Sequence, residues 1–272
     1  MERNTKRFKR KKPESMKTKI LIMTLLFSGS MALNAQNATE IAEKADNAIN
    51  FDALEMTTTL DIHDHRGNVR TRQVAVATRT FDETAKTLIR FLSPADVRGT
   101  SMLVHDYQNG RDDMWVYMPA LRRTRRIVSS ERSASFMGSE FTNADMSSHN
   151  LDDFSHNLLG SETIGGKDCW LIESVPKTPE LEEENGFSRM VAYIDKDSFH
   201  TYKVEYYDVD NDLHRVMNIE EYRRQSTGKY FAFKMEVQNV QNNRRSVMTV
   251  DRFQPGSDLG EDNFTVSALE NF

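Results

Sequence analysis

Turn signals recur along most of this chain at spacings that leave room for little except short extended runs: Arg66-Gly67-Asn68, Asn109-Gly110, Gly165-Gly166, Asp195-Lys196-Asp197, Asp210-Asn211, Thr227-Gly228 and Asn242-Asn243. Such punctuation predicts successive β-hairpins. Between the last two signals the residues alternate, with Phe231, Phe233, Met235 and Val237 on one face of a strand and Ala232, Lys234, Glu236 and Gln238 on the other. Tyr202, Val204 and Tyr206 repeat the pattern. From Leu54 to Phe253 the runs amount to about ten or eleven antiparallel strands, more than an open sheet holds without curling. The expected fold class is therefore mainly β (α+β), a strongly curved antiparallel half-barrel. Ahead of it the period changes, because Asn37-Ala38-Thr39-Glu40 has the form of a capping box and Ile41, Ala45, Ala48 and Ile49 follow at helical spacing. One amphipathic helix ending near Asn50 is expected there.

A curved sheet needs something on its concave side. The one long stretch without strand pattern is Val128 to Gly160, in which Phe136, Met137, Phe141, Met146, Leu151, Phe154, Leu158 and Leu159 are scattered among polar residues. Long insertions of this kind act as lids or binding loops, so residues 128–160 are read as a helical or loop lid with Gly138 and Gly160 as hinges.

The first residues read differently again. Residues 1–13 are rich in lysine and arginine, Met16-Lys17-Thr18-Lys19 is a short basic segment, and Ile20 to Leu33 is mostly apolar and runs into small residues ending at Ala35. That is the pattern of a secretory signal peptide, and it is too short to span a bilayer. Cleavage is expected after Ala35, leaving residues 36–272 as one exported half-barrel domain. No cysteine stands at the cleavage zone, so no lipid anchor is expected. The only cysteine is Cys169, in a strand-like run, which excludes an intramolecular disulfide and reads as a small buried hydrophobe.

Removing residues 1–35 leaves 27 Lys and Arg against 39 Asp and Glu, a net charge of −12. An acidic body argues against a nucleic-acid partner. The exception is local: Arg122, Arg123, Arg125 and Arg126 lie in the run from Met114 to Ile127. Strand periodicity places Arg123 and Arg125 with Leu121 and Ile127, and Arg122 and Arg126 on the opposite face with Thr124. A guanidinium at a cavity rim can hold a lipid phosphate or carboxylate, whereas pairing with Asp112, Asp113 and Glu131 as surface ion pairs is the ordinary alternative.

The string Trp115-x-Tyr117-x-Pro119-x-Leu121-x-Arg123-x-Arg125-Arg126-Ile127, followed by Ser135-Phe136-x-Gly138-Ser139-x-Phe141 and Asp145, resembles the LolA-like outer membrane lipoprotein-sorting protein family. It departs from that pattern at Glu140, where aspartate is usual, and at Asn143-Ala144, where an aromatic-acidic pair is usual. The resemblance implies a periplasmic domain with a half-open antiparallel barrel, helices closing its mouth, and an apolar cavity that accepts acyl chains. The implied partners are a lipid or an acylated lipoprotein, together with an inner-membrane transporter of the RND type. On this reading Met114, Val116, Met118, Phe136, Met137, Phe141 and Leu158 line the cavity, and Arg122, Arg123, Arg125 and Arg126 contact a headgroup or a protein partner. The same apolar residues equally suit an ordinary core.

Asp145, His149, Asp152 and His156 would share one face if that segment were helical, a weak pointer to a transition metal. Ser and Asn around them give poor helix propensity. No Gly-x-Ser-x-Gly, His-Glu-x-x-His, dinucleotide or Walker motif occurs, so neither an enzyme nor a cofactor is expected.

Overall fold

The computed structural model describes residues 37–108 and 110–270. The expected signal peptide and its cleavage point lie outside the described residues, as does Asn109 of one turn signal. Helix α1 occupies residues 37–49. It buries Ala38, Ile41, Ala42 and Ala45, while Ile49, expected on the same stripe, is 40% exposed. The chain turns there to seat Phe51 instead, against the rings of Phe231 and Phe253.

Beyond α1 come β1 (Ala53–His63), β2 (Val69–Phe81), β3 (Thr84–Ser93), β4 (Ser101–Tyr107), β5 (Asp113–Met118) and β6 (Arg123–Ile127). After an irregular segment follow β7 (Phe154–Ile164), β8 (Lys167–Pro176), helix α2 (Pro179–Asn185), β9 (Arg189–Asp195), β10 (Thr201–Tyr207), β11 (Leu213–Arg224), β12 (Tyr230–Asn239) and β13 (Arg244–Pro255). All form one antiparallel sheet, ordered β6-β5-β4-β3-β2-β1-β13-β12-β11-β10-β9-β8-β7. The sheet is curved and unclosed, as the turn pattern predicts, but it holds 13 strands rather than ten or eleven. Two strands had escaped the alternation. Met114–Ile127 is not one strand, because a 3-10 turn at Pro119–Leu121 and a left-handed Arg122 (φ 44°) fold it into the β5–β6 hairpin. The Phe154–Gly160 end of the expected lid is the start of β7, with Phe154 and His156 buried and Ser155 and Asn157 exposed.

Strand order makes the rest of the topology simple. First and last strands pair in the middle of the sheet, and the free edges are β6 and β7. The segment that joins those edges, residues 128–153, therefore has to cross one face of the sheet from rim to rim. That face, the inner one, carries the main core: Leu60, Ile62, Val74, Ile89, Phe91, Val237 and Met248 of the strands pack with Phe136 and Phe141 of the crossing segment and with Phe154 and Phe187. Helix α1 covers the β8–β9 part of the sheet, with Ile41 and Ala45 against Ile172 and Ile194. The outer face is covered by the C-terminal segment, whose Phe264 and Leu269 pack on Ala77, Leu88 and Leu103.

Candidate functional site

The crossing segment, the lid, has almost no regular structure: isolated 3-10 turns at Ser129–Glu131, Ala144–Met146 and Leu151–Asp153 and a single antiparallel bridge between Ser135 and Thr142 are all it contains. Buried backbone without a ladder must find other partners, and here arginines supply them. Residues 136–141 close a tight loop in which the Phe136 N–H donates to the Phe141 carbonyl at 2.8 Å. Met137 and Gly138 at its tip are both left-handed (φ 51° and 80°), a conformation glycine adopts without cost. The tip carbonyls point at the sheet. Arg72 of β2 donates to the Met137 carbonyl, Arg244 of β13 to that of Gly138 at 3.1 Å, and Arg215 of β11 to that of Glu140 at 3.0 Å. The Glu140 N–H donates to Ser246 Oγ of β13 at 2.9 Å, and its carboxylate lies 2.8 Å from Arg244 Nε. The lid is thus bolted across the inner face to strands on both sides of β1.

Behind these bolts sits a buried ion pair, Arg215 Nη1 to Asp145 Oδ2 at 2.9 Å. Burial acts to raise the Asp145 pKa, but the charge of Arg215 and hydrogen bonds from the Thr142 N–H and Arg215 overcome it and hold the carboxyl below the usual carboxylate range. Arg215 also lies 4.6 Å from the Tyr206 ring centre. Burial lowers the pKa of both His149 and His156. At the lid's flank burial, reinforced by Asp112, pushes Asp106 up to about 6, although the Ser148 N–H donates to it at 3.0 Å. Asp112 itself pairs with Arg132 of the lid at 2.8 Å. A pocket of about 40 Å³ is lined by Asp112, Arg132, His149, Asp153 and Glu184.

The residues singled out for metal do not come together. Asp145 is committed to Arg215, His149 lies against the rings of Phe154 and Phe187, Asp152 sits in a 3-10 turn where its backbone N–H donates to the capping Asn150 side chain, and His156 is on β7 with Nδ1 2.8 Å from Ser174 Oγ. The helix that would have aligned them is absent because 3-10 turns and β7 replace it. No cluster of His, Cys, Asp and Glu suited to a metal occurs among the described residues.

Of the apolar set, Met114, Phe136 and Phe141 are only 1%, 2% and 2% exposed. They fill the space under the lid, with the Phe136 ring 5.6 Å from that of Phe91. Val116 and Met137 border the same core half-buried, Met118 lies outside it, and Leu158 belongs with the α1 cluster. Gly160 is not a lid hinge, since it sits at a bulge within β7.

Register places Met114, Val116 and Met118 opposite Ile127, Arg125 and Arg123, and Trp115 opposite Arg126. Arg125 pairs with Glu131 at 2.6 Å and Arg126 with Asp113. Arg122 and Arg123, at the hairpin turn beside 65%-exposed Leu121, are exposed and have no side-chain partner among the described residues. Arg122 shares no strand face with Arg126, because it caps the 3-10 turn. The bolts Arg72, Arg215 and Arg244 went unnoticed in the sequence. Their signal was there: Arg72 has the parity of Val74 and Val76, and Arg215 that of Met217 and Ile219, so each puts a charge on an apolar face.

Comparison with known proteins agrees with this architecture. A family model described as an uncharacterized protein matches residues 83–271. The chain is similar to a domain from Vibrio parahaemolyticus described as outer membrane lipoprotein-sorting, with 28% identity, a TM-score of 0.82, and coverage of 88% of this chain and 100% of that one. A DUF1329 family protein from Desulfovibrio piger gives 28% identity, a TM-score of 0.81, and coverage of 87% and 99%. A LolA superfamily protein from Nitrosomonas europaea shares the fold at 21% identity and a TM-score of 0.66, with coverage of 84% and 97%. No curated protein matches. No helix among the described residues is long and apolar enough to cross a membrane. With its curved antiparallel sheet, N-terminal helix and bolted lid, this chain belongs to the LolA-like outer membrane lipoprotein-sorting family.

Proposed function

We propose that the protein is a periplasmic carrier, exported after cleavage behind Ala35, that shields an acyl chain of a lipid or lipoprotein against the inner face of the sheet and passes it between envelope components. It is a binding protein and not an enzyme. One observation carries the reading: the lid that crosses the apolar inner face has almost no regular secondary structure and is fixed by separable polar bolts, Arg72, Arg215, Arg244 and Ser246, while its apolar contacts with the core are made by a few side chains, Phe136, Met137, Phe141 and Met146 among them. Lifting that lid exposes an apolar wall that includes Leu60, Ile62, Val74, Ile89 and Phe91. Partly exposed Val76, Met190, Ala192, Ile219 and Met235 already border the core, offering a chain its first contacts. Each buried methylene contributes about 0.8 kcal/mol, so a chain of about twelve carbons has ample gross affinity to offset ordering and lid opening. The relative described as lipoprotein-sorting supports the same cargo class. Solvent extraction of protein purified without detergent should yield lipid, and a fluorescent fatty acid should be shielded from water on binding. Neither happening would overturn the reading.

A second reading is favoured by the unpaired Arg122 and Arg123: an accessory that docks on an inner-membrane transporter of the RND type through the β5–β6 turn. It predicts a complex that weakens on Arg122→Glu with Arg123→Glu while vesicle-to-vesicle lipid transfer is absent.

A further inference from the structure

On the outer face, opposite the lid, β1, β2, β3 and β13 floor a cavity of about 530 Å³. That is within the range of about 300–1,000 Å³ typical of small-molecule pockets. The floor exists because the outward positions of β2 are small: Ala75 and Ala77 face out beside Leu88. One wall is the C-terminal segment. Arg79 Nη1 donates to the Ser257 carbonyl at 3.1 Å and to that of Leu259 at 2.9 Å, so Leu259 overhangs the hollow. Further on, Phe264 and Leu269 seal the outer face over Leu88 and Leu103, and the hollow lies on the side where that cover stops.

A hollow of this size with an apolar floor is the kind of concave surface on which small molecules bind. Its rim is charged. Arg252 is exposed and has no side-chain partner among the described residues, and Arg90, whose Nε donates to Ser101 Oγ at 3.1 Å, lies across from it. The rim carboxylate, Glu55, is already engaged by Ser257 Oγ at 2.7 Å. An apolar floor under two guanidinium groups complements a hydrocarbon chain ending in an anion.

We propose that this outer hollow is a second binding site, separate from the inner face, for a single-chain anionic amphiphile whose hydrocarbon lies over Ala75, Ala77 and Leu88 and whose headgroup meets Arg252 and Arg90. It does not depend on the inner face carrying cargo.

Dodecanoate labelled with ¹³C at the carboxyl, titrated into the purified protein, tests it by NMR. Arg252→Glu reverses the rim charge at an exposed position, and Ala75→Phe fills the hollow with a residue strands accept. The expected result is a bound carboxyl resonance that weakens at least tenfold in affinity in both variants and is not competed by dodecyltrimethylammonium, which has the same chain and the opposite charge. A second resonance that persists in both variants reports inner-face occupancy. Only one resonance, unaffected by either substitution, overturns the outer site and leaves the carrier reading standing. No bound resonance at all, or equal competition by the cation, also overturns it.

Discussion

The Arg215 guanidinium of β11 lies 2.9 Å from the Asp145 carboxylate of the lid, with the two side chains 4% and 6% exposed. The same guanidinium nitrogen holds the Glu140 carbonyl at 3.0 Å, so one side chain fixes the lid at two points. Removing one partner of a buried pair costs about 3–5 kcal/mol because the other charge stays buried. Arg215→Ala and Asp145→Asn should each lose stability of that order in urea unfolding. The double variant should cost clearly less than the sum, since the second substitution removes the charge stranded by the first.

Stability should fall in mild acid. His149 and His156 have lowered pKa values through burial, so the folded state keeps them neutral. Their contribution is complete above the unfolded value of about 6.5 and is lost as pH falls below it. Asp145, also lowered, acts only further down, below about 3.9. Asp106 opposes them: raised to about 6, it penalises folding as pH climbs through that value. Urea midpoints should therefore drop from pH 7 to pH 5, less steeply in His156→Gln. Asp106→Asn, which keeps an acceptor for the Ser148 N–H, should stabilise by on the order of 1 kcal/mol at pH 8, about 2–4 °C in Tm, less at pH 5, and have little effect only below the unfolded value of about 3.9. An Asp106→Asn variant no more stable at pH 8 would show that the carboxylate is not strained.

Phe136, 2% exposed and against Phe91, occupies the space proposed for cargo. Truncation to alanine should cost about 3–5 kcal/mol. Because the vacated volume suits hydrocarbon, saturating dodecanoate should restore part of the loss in Phe136→Ala and give a smaller gain in the wild type. Equal gains in both proteins would count against a chain binding beneath the lid.

Arg122 and Arg123 touch no acidic partner among the described residues, so reversing both charges to glutamate should leave stability within about 0.5 kcal/mol. Binding to a membrane partner or to anionic vesicles should fall at least tenfold in a pull-down or sedimentation assay. Arg126→Glu is the contrast, because it also breaks the pair with Asp113.

Much of this architecture could be read in advance, and the exceptions have physical causes. Hairpins were legible because each turn signal needs residues that tolerate left-handed backbone or compete for hydrogen bonds locally, and Gly165-Gly166 and Asn242-Asn243 do join paired strands. Helix α1 was legible from its stripe. Helix α2 was overlooked although its signals were complete: Thr178 caps the Leu181 N–H, Pro179 opens the first turn and left-handed Gly186 closes the last. The lid's attachment was harder. Periodicity places Arg72 and Arg215 on an apolar face but cannot say that carbonyls 65 and 75 residues away accept their protons. Likewise, alternation finds Met114 and Phe136 apolar without telling a filled core from an open cavity.

The central claim is that the inner face, once the lid yields, receives an acyl chain. Methyl-labelled methionines report on it directly, since Met137, Met217, Met235 and Met248 all border the core beneath the lid. A fatty acid carrying a nitroxide at mid-chain should broaden those four methyl resonances and spare Met118, which lies outside that core. If the fatty acid binds and none of the four responds, the inner face is simply the protein's own core and the account of it as a cargo site is wrong.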